Sequence, residues 1–335
     1  MKFGIGLLFG LLASMPVFGA GISYDCASNI ETSTCTYLNN NIAGLYAGVF
    51  TNANANIYIQ YGSTGLGSSA QIYNSTTFND YLSALTSHEG DVNDATAVAT
   101  LQGGEPSIFN GGDIFLTSAL DAALGLSGGI GTDASLNSCT LGPSNPTCYN
   151  GVITLAPPAS LPTGQSYYYR TGQQASTAYD IYSVVEHETD EILGTSSCIG
   201  TLSSAAADVC AHHTDSPAPA DLFRYSAAGT RSFVSQGSGS SAYFSINGGT
   251  TSIASYINSP NSGDYGDWST NCTHIQDATG CLGQSYDITS DGRVEITVLD
   301  AVGYNLVTPE PGTFGVFGLG LFVVVQYRRR RLLNR

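Results

Sequence analysis

Basic residues are scarce along the body of this chain. Six of its ten lie at the two ends, Lys2 and Arg328, Arg329, Arg330, Arg331 and Arg335, leaving only Arg170, Arg224, Arg231 and Arg293 between them. Those four face 26 acidic residues, a charge near −22 between Lys2 and Arg328. Such a surface repels phosphate backbones and anionic headgroups, which excludes nucleic-acid binding, and it attracts divalent cations. Methionine is absent beyond Met15. No internal repeat and no charged or Pro-rich linker divides residues 21–307, so this stretch reads as one domain with long decorated loops. A Ser/His/Asp motif, a nucleotide loop and a dinucleotide fingerprint are all missing. So are CxxC-type spacings, which argues against a cysteine metal site.

What cysteine there is falls into four close couples, Cys26 and Cys35, Cys139 and Cys148, Cys198 and Cys210, Cys272 and Cys281. Pairing of neighbours is the simplest connectivity, and four short-loop disulfides imply an oxidising compartment. Charged residues amount to 11% of the chain, while Gly, Ser, Thr, Asn and Tyr abound, as suits a loop-rich secreted protein.

Apolar runs are confined to the ends. Residues 1–20 hold Lys2, an apolar stretch from Phe3 to Val17, and then the small residues Gly19 and Ala20, the pattern of a cleavable signal peptide. Residues 308–335 hold Pro309-Glu310-Pro311, an apolar run from Gly312 to Tyr327 and the arginine cluster, a cytoplasmic-side stop. This three-part tail resembles the PEP-CTERM sorting signal of Gram-negative bacteria. The resemblance implies processing by an exosortase-type enzyme, membrane contact only through the tail before processing, and a final place at the cell surface or outside the cell.

Between the ends, Ile57, Ile59 and Tyr61 alternate with polar neighbours as in a strand. Asp113–Thr117 and Val152–Leu155 are further strand candidates, and Pro157-Pro158 ends the second. Phe78–Ser87 and Ser118–Leu126 look helical. Tyr243–Ile246 entering Asn247-Gly248 reads as a strand leading to a tight turn. A last helix is expected over Ile296–Val302. The clearest helix is Tyr179–Leu193, with Thr177 or Asp180 as cap, an apolar face of Ile181, Val184, Val185, Ile192 and Leu193, and Gly194 in the left-handed position that ends it.

That helix carries His187-Glu188-Thr189-Asp190-Glu191. Residues four apart share a helical face, so His187 and Glu191 can reach one cation. Glu188 then stands beside the open coordination position, where a carboxylate can take a proton from metal-bound water. Acidic loops with Asp264, Asp267 and Asp277, or with Asp287 and Asp291, are candidates for structural calcium, Ca2+, without EF-hand spacing. Tyr167, Tyr168 and Tyr169 suit either a substrate wall or aromatic strand packing.

The helix is similar to the HExxH signature of zincin proteases, with Glu191 in the place of the second histidine. Gly194, the strand Gly151–Leu155 and the segment Val298–Tyr304 are metzincin-like. Residues 50–305 resemble a family of PEP-CTERM-tailed bacterial metalloproteases with an HExxE helix, a DLFRYS-type segment (here Asp221–Ser226) and a GDYGDW-type segment (here Gly263–Trp268). The resemblance implies an α+β, zincin-like twisted sheet with one active-site helix, loop-rich and disulfide-bonded. It also implies zinc, Zn2+, and a peptide or protein substrate. Ser197 occupies the metzincin third-ligand position and the methionine turn is absent. Asp221 is then the first choice of third ligand, with His212, His213 and Asp215 open, and Arg224 is a candidate to stabilise an oxyanion. These departures equally suit a catalytically silent surface or matrix protein serving adhesion or exopolysaccharide association.

Overall fold

Alternation of buried and half-exposed side chains along Ala55–Tyr61 comes from the two-residue repeat of a strand: Ala55, Ile57 and Ile59 point into the core. The computed structural model describes residues 21–103, 113–126, 129–199, 217–233, 241–257, 264–269 and 272–307. The signal-peptide and sorting-tail expectations, and Cys210, His212, His213 and Asp215, lie outside the described residues.

The chain begins with β1 (Ile22–Cys26), α1 (Thr32–Tyr37), α2 (Ala43–Val49), β2 (Ala55–Tyr61), β3 (Gly67–Gln71), β4 (Tyr73–Thr77), α3 (Phe78–Ser87) and α4 (Val92–Leu101). It continues with β5 (Asp113–Thr117), α5 (Ser118–Ala123), β6 (Ile130–Thr132), β7 (Ser138–Thr140), β8 (Gly151–Leu155), β9 (Ser166–Tyr168), β10 (Ala178–Asp180) and α6 (Ile181–Asp190). It closes with β11 (Arg224–Ala227), β12 (Thr230–Arg231), β13 (Tyr243–Phe244), β14 (Ala254–Ser255) and α7 (Val294–Val302). This is a mixed α+β protein with several small sheets.

The central sheet runs β1-β2-β8-β3. Its first three strands are parallel, with Ile59 facing Ile153, while β3 lies antiparallel to β8 at the edge. Helix α6 packs across β8 and β3, so Ile181, Val185, Ile192 and Leu193 join Ile57, Ile59, Ile153 and Leu155 in one hydrophobic core. Close approach needs a missing side chain. A Cβ on Gly151 would sit 2.6 Å from both Cδ1 and Cγ1 of Ile192.

Several expected elements match, including α3 and β5 over the expected residues and β8 one residue longer. Others shift. The helix expected over Tyr179–Leu193 starts at Ile181, because Tyr179 and Asp180 pair with β9. It then runs on as a π-helical turn over Glu191–Thr195, where Gly194 adopts φ 133°. Helix α5 stops at Ala123, β13 covers two residues instead of four, and α7 starts two residues early at Val294. Helices α1, α2 and α4 were not expected. Thr in α1, Gly in α2, and Thr and Asn in α4 weaken local helical preference. Burial decides instead: Tyr46 and Val49 of α2 with Leu38 and Ile42 of the turn that joins it to α1, and Ala97, Val98 and Leu101 of α4.

Disulfides join Cys26 to Cys35, Cys139 to Cys148 and Cys272 to Cys281, the neighbour pairing expected, and Cys198 is also disulfide-bonded.

The Gly151 contact gives a direct test. Replacing Gly151 with Ala should destabilise the protein by about 1–3 kcal/mol through overpacking against Ile192. The denaturant midpoint of the variant against the wild type measures it; an unchanged midpoint would show that the helix has room to move.

Candidate metal and catalytic site

Asp180 caps α6 by accepting hydrogen bonds from Tyr182 N at 2.9 Å and Ser183 N at 3.4 Å. Arg170 braces the same end, 2.8 Å from Asp180 and 3.4 Å from Glu186. With its first turn fixed, the helix presents His187, Glu188 and Glu191 to a cleft of about 730 Å³. The cleft runs between the edge strand β3 and the disulfide-closed loop from Cys272 to Cys281.

That loop sets the histidine. His187 Nδ1 lies 2.9 Å from the Ile275 carbonyl oxygen, which can only accept, so Nδ1 carries a proton and donates it. Nε2 is thereby turned toward two carboxylates, Glu191 Oε1 at 3.6 Å and Asp267 Oδ1 at 3.5 Å. One ligand atom from each of His187, Glu191 and Asp267 falls within 4.8 Å of the others. A ring nitrogen and two carboxylate oxygens make a donor set for a divalent transition ion, zinc included, and the Ile275 carbonyl is the outer partner that a ligating histidine needs.

Neighbours fix the carboxylates as well. Ser69 of β3 donates to Glu191 Oε2 at 2.6 Å, and Asp264 N donates to Asp267 Oδ2 at 3.2 Å. The Gln276 side-chain amide lies 3.2 Å from both His187 Nε2 and Asp267 Oδ1, so one N–H2 group is shared by two of the candidate ligands. Glu188 faces the cleft beside Gly67, where a Cβ would lie 2.5 Å from its Oε1. Only a glycine lets the edge strand come this close.

Burial and crowding perturb every acid here. Glu188 and Asp264 are pushed well above the usual carboxylate range by burial and by the charge of Glu191. Asp267 is raised to about 7 by burial, against the pull of His187. Burial opposes a charge on His187, but Asp267 and Glu191 outweigh it and hold its pKa well above the ordinary value. For Glu191, burial is overcome by the bonds to His187 and Ser69, and its pKa is lowered.

Asp221 does not join this group. Its Oδ1 accepts from Ser197 Oγ at 2.5 Å, and its Oδ2 accepts from Cys198 N and Ala218 N, each at 2.9 Å. It ties down the chain leaving Gly194, and Ser197 is spent on the same tie. Asp267 stands where Asp221 was expected. Arg224 is no cleft residue either: it is fully buried, donates to the Tyr265 carbonyl at 2.7 Å and lies over the Tyr256 ring at 4.2 Å. Tyr167 packs inward and donates to the carbonyls of Leu66 and Ala156, and none of Tyr167, Tyr168 and Tyr169 lines the cleft.

Of the calcium candidates, Asp264, Asp267 and Asp277 line the cleft, while Asp287 and Asp291 do not. Asp287 caps a turn through Thr289 and Ser290. Asp277 holds the loop through Thr273 and His274, and Asp291 groups with His274 and Glu295. The GDYGDW-type segment was the available signal for Asp267. What the sequence could not supply was a distance across 80 residues of chain.

Removing each acid should separate ligand from tether. Asp267→Ala should lower zinc affinity by more than the about 10–100-fold seen for a lost supporting partner. Asp221→Asn should keep the bound-metal stoichiometry and lower thermal stability. Competition with a zinc indicator dye, alongside thermal unfolding, measures both; equal zinc affinity in the Asp267 variant would remove it from the site.

Among the described residues no helix is long and apolar enough to cross a membrane. No curated protein and no solved structure matches the chain. The PEP-CTERM protein-sorting motif matches residues 307–331. The end of the chain is therefore an export and surface-sorting signal of the kind an exosortase-type enzyme processes, as its Pro-Glu-Pro, apolar run and arginine cluster imply.

Proposed function

We propose that this is a secreted or cell-surface metal-dependent peptidase of zincin-like build, with His187, Glu191 and Asp267 as metal ligands and Glu188 as general base. The observation that carries the reading is the meeting of His187 Nε2 with two carboxylates beside Glu188 in one cleft. A bound divalent ion supplies an acidified water and polarises a substrate carbonyl. Glu188, beside the ligands in the same cleft, would take the proton and return it to the leaving amine.

The edge strand suits a peptide. β3 pairs only with β8 among the described residues, and Gly65 to Ser69 border the cleft, so an extended backbone can add alongside. Parallel strands ending in an antiparallel edge, an HExxE helix across them and a positive-φ Gly194 behind it support the zincin-like fold. The rival, a silent surface or matrix protein, draws on the absent second histidine and on Ser197 being spent on Asp221.

Casein hydrolysis and elemental analysis of the purified chain decide between them. Wild-type protein should carry about one zinc or similar ion at this site and cleave casein, and Glu188→Gln should lose at least about 100-fold in rate while keeping the metal. Metal without cleavage points to the silent scaffold. Absence of metal from folded protein sinks both the ligand set and the peptidase.

A further inference from the structure

A second group of carboxylates lies outside the cleft, where α4 meets the end of α7. Asp91 is the N-cap of α4, Asp94 stands in its first turn, and Asp300 lies in the last turn of α7. Oxygens of the three fall within 4.8 Å of one another. Each acid has one oxygen already held by the protein. Asp91 Oδ1 accepts from Asn93 N and Asp94 N, Asp94 Oδ2 from Gly90 N and Asp91 N, and Asp300 Oδ2 from Asn93 Nδ2 at 3.2 Å.

The remaining oxygen of Asp300 is the telling one. Asp300 is fully buried, and its Oδ1 has no hydrogen-bond partner among the described residues. A buried, unpartnered carboxylate oxygen is costly, and no salt bridge among the described residues reaches it. Its position adds to the cost, because the last turn of α7 already carries the negative end of the helix dipole and no basic residue. Burial, with the charges of Asp94 and Asp91, raises its pKa to about 8.

We propose that Asp91, Asp94 and Asp300 bind a calcium ion that clamps the start of α4 to the end of α7. The donors are all oxygen, which selects a hard cation over zinc. Their oxygens, all within 4.8 Å of one another, are close enough to share one ion at calcium–oxygen distances of about 2.4 Å. A strongly acidic exported protein with so few cations has few other ways to neutralise this corner. This site does not depend on the peptidase reading.

The test is thermal unfolding of the full chain, stripped of metal and titrated with calcium chloride. Wild-type protein and Asp267→Asn should both gain Tm with calcium. Asp300→Asn and Asp91→Asn should lose most of that gain and bind calcium at least about tenfold more weakly, because ligand charge sets affinity. Asparagine keeps the N-cap at position 91. Calcium-free Asp300→Asn should be at least as stable as calcium-free wild type, since a neutral amide replaces a carboxyl whose ionisation is disfavoured by burial and by Asp94 and Asp91. A wild-type chain indifferent to calcium, an Asp300→Asn variant with the full response, or a less stable calcium-free variant would overturn the proposal.

Discussion

One helix has to bury four carboxyl groups, and among the described residues a single arginine pairs with it. Glu186, Glu188, Asp190 and Glu191 of α6 and its π-helical extension are all buried. Arg170 and the amide of Ile288 serve Glu186, Tyr46 donates to one oxygen of Asp190 at 2.7 Å, and Ser69 and His187 serve Glu191. Burial drives Glu186 and Asp190 well above the usual carboxylate range. Glu188 is left facing the cleft. A helix loaded in this way is poor value for stability and good material for a site, because crowded carboxylates attract cations and hold protons near neutral pH.

The surrounding architecture follows from that load. The edge strand supplies Ser69 and, through Gly67, room for Glu188. The loop closed by Cys272 and Cys281 supplies the Ile275 carbonyl that orients His187 and the Gln276 amide that bridges to Asp267. A disulfide here limits how far the loop can wander before the chain folds. Asp221 and Ser197 secure the exit from the helix, which keeps Asp264 and Gly266 against Ser196 and Ser197. The same shortage of cations extends across the molecule to Asp91, Asp94 and Asp300. The metal binding proposed at both places is one answer to the same composition.

Much of this was legible in the residues themselves. Alternation along β2, the capped amphipathic α6, the helix-ending Gly194 and the close cysteine couples are local signals, and each has its counterpart in the structure. So is the four-residue spacing that puts His187 and Glu191 on one face. The failures were of another kind. Helices α1, α2 and α4 form from residues of modest helical preference because packing outweighs propensity. Asp221 looked like a ligand by its place in a recognisable segment, yet three donors already claim its oxygens.

The sequence by itself determined the sorting tail, the neighbour disulfides, and which turn of which helix presents a histidine and two glutamates to one side. Those depend on order and spacing within a few residues. Tertiary structure alone decided that Asp267 and Gln276 meet His187, that Arg224 turns into the core, and that Asp300 lies beside Asp91 and Asp94. Each of these joins residues far apart in the chain, and only the packing of the helices, the sheet edge and the disulfide-closed loop fixes such distances.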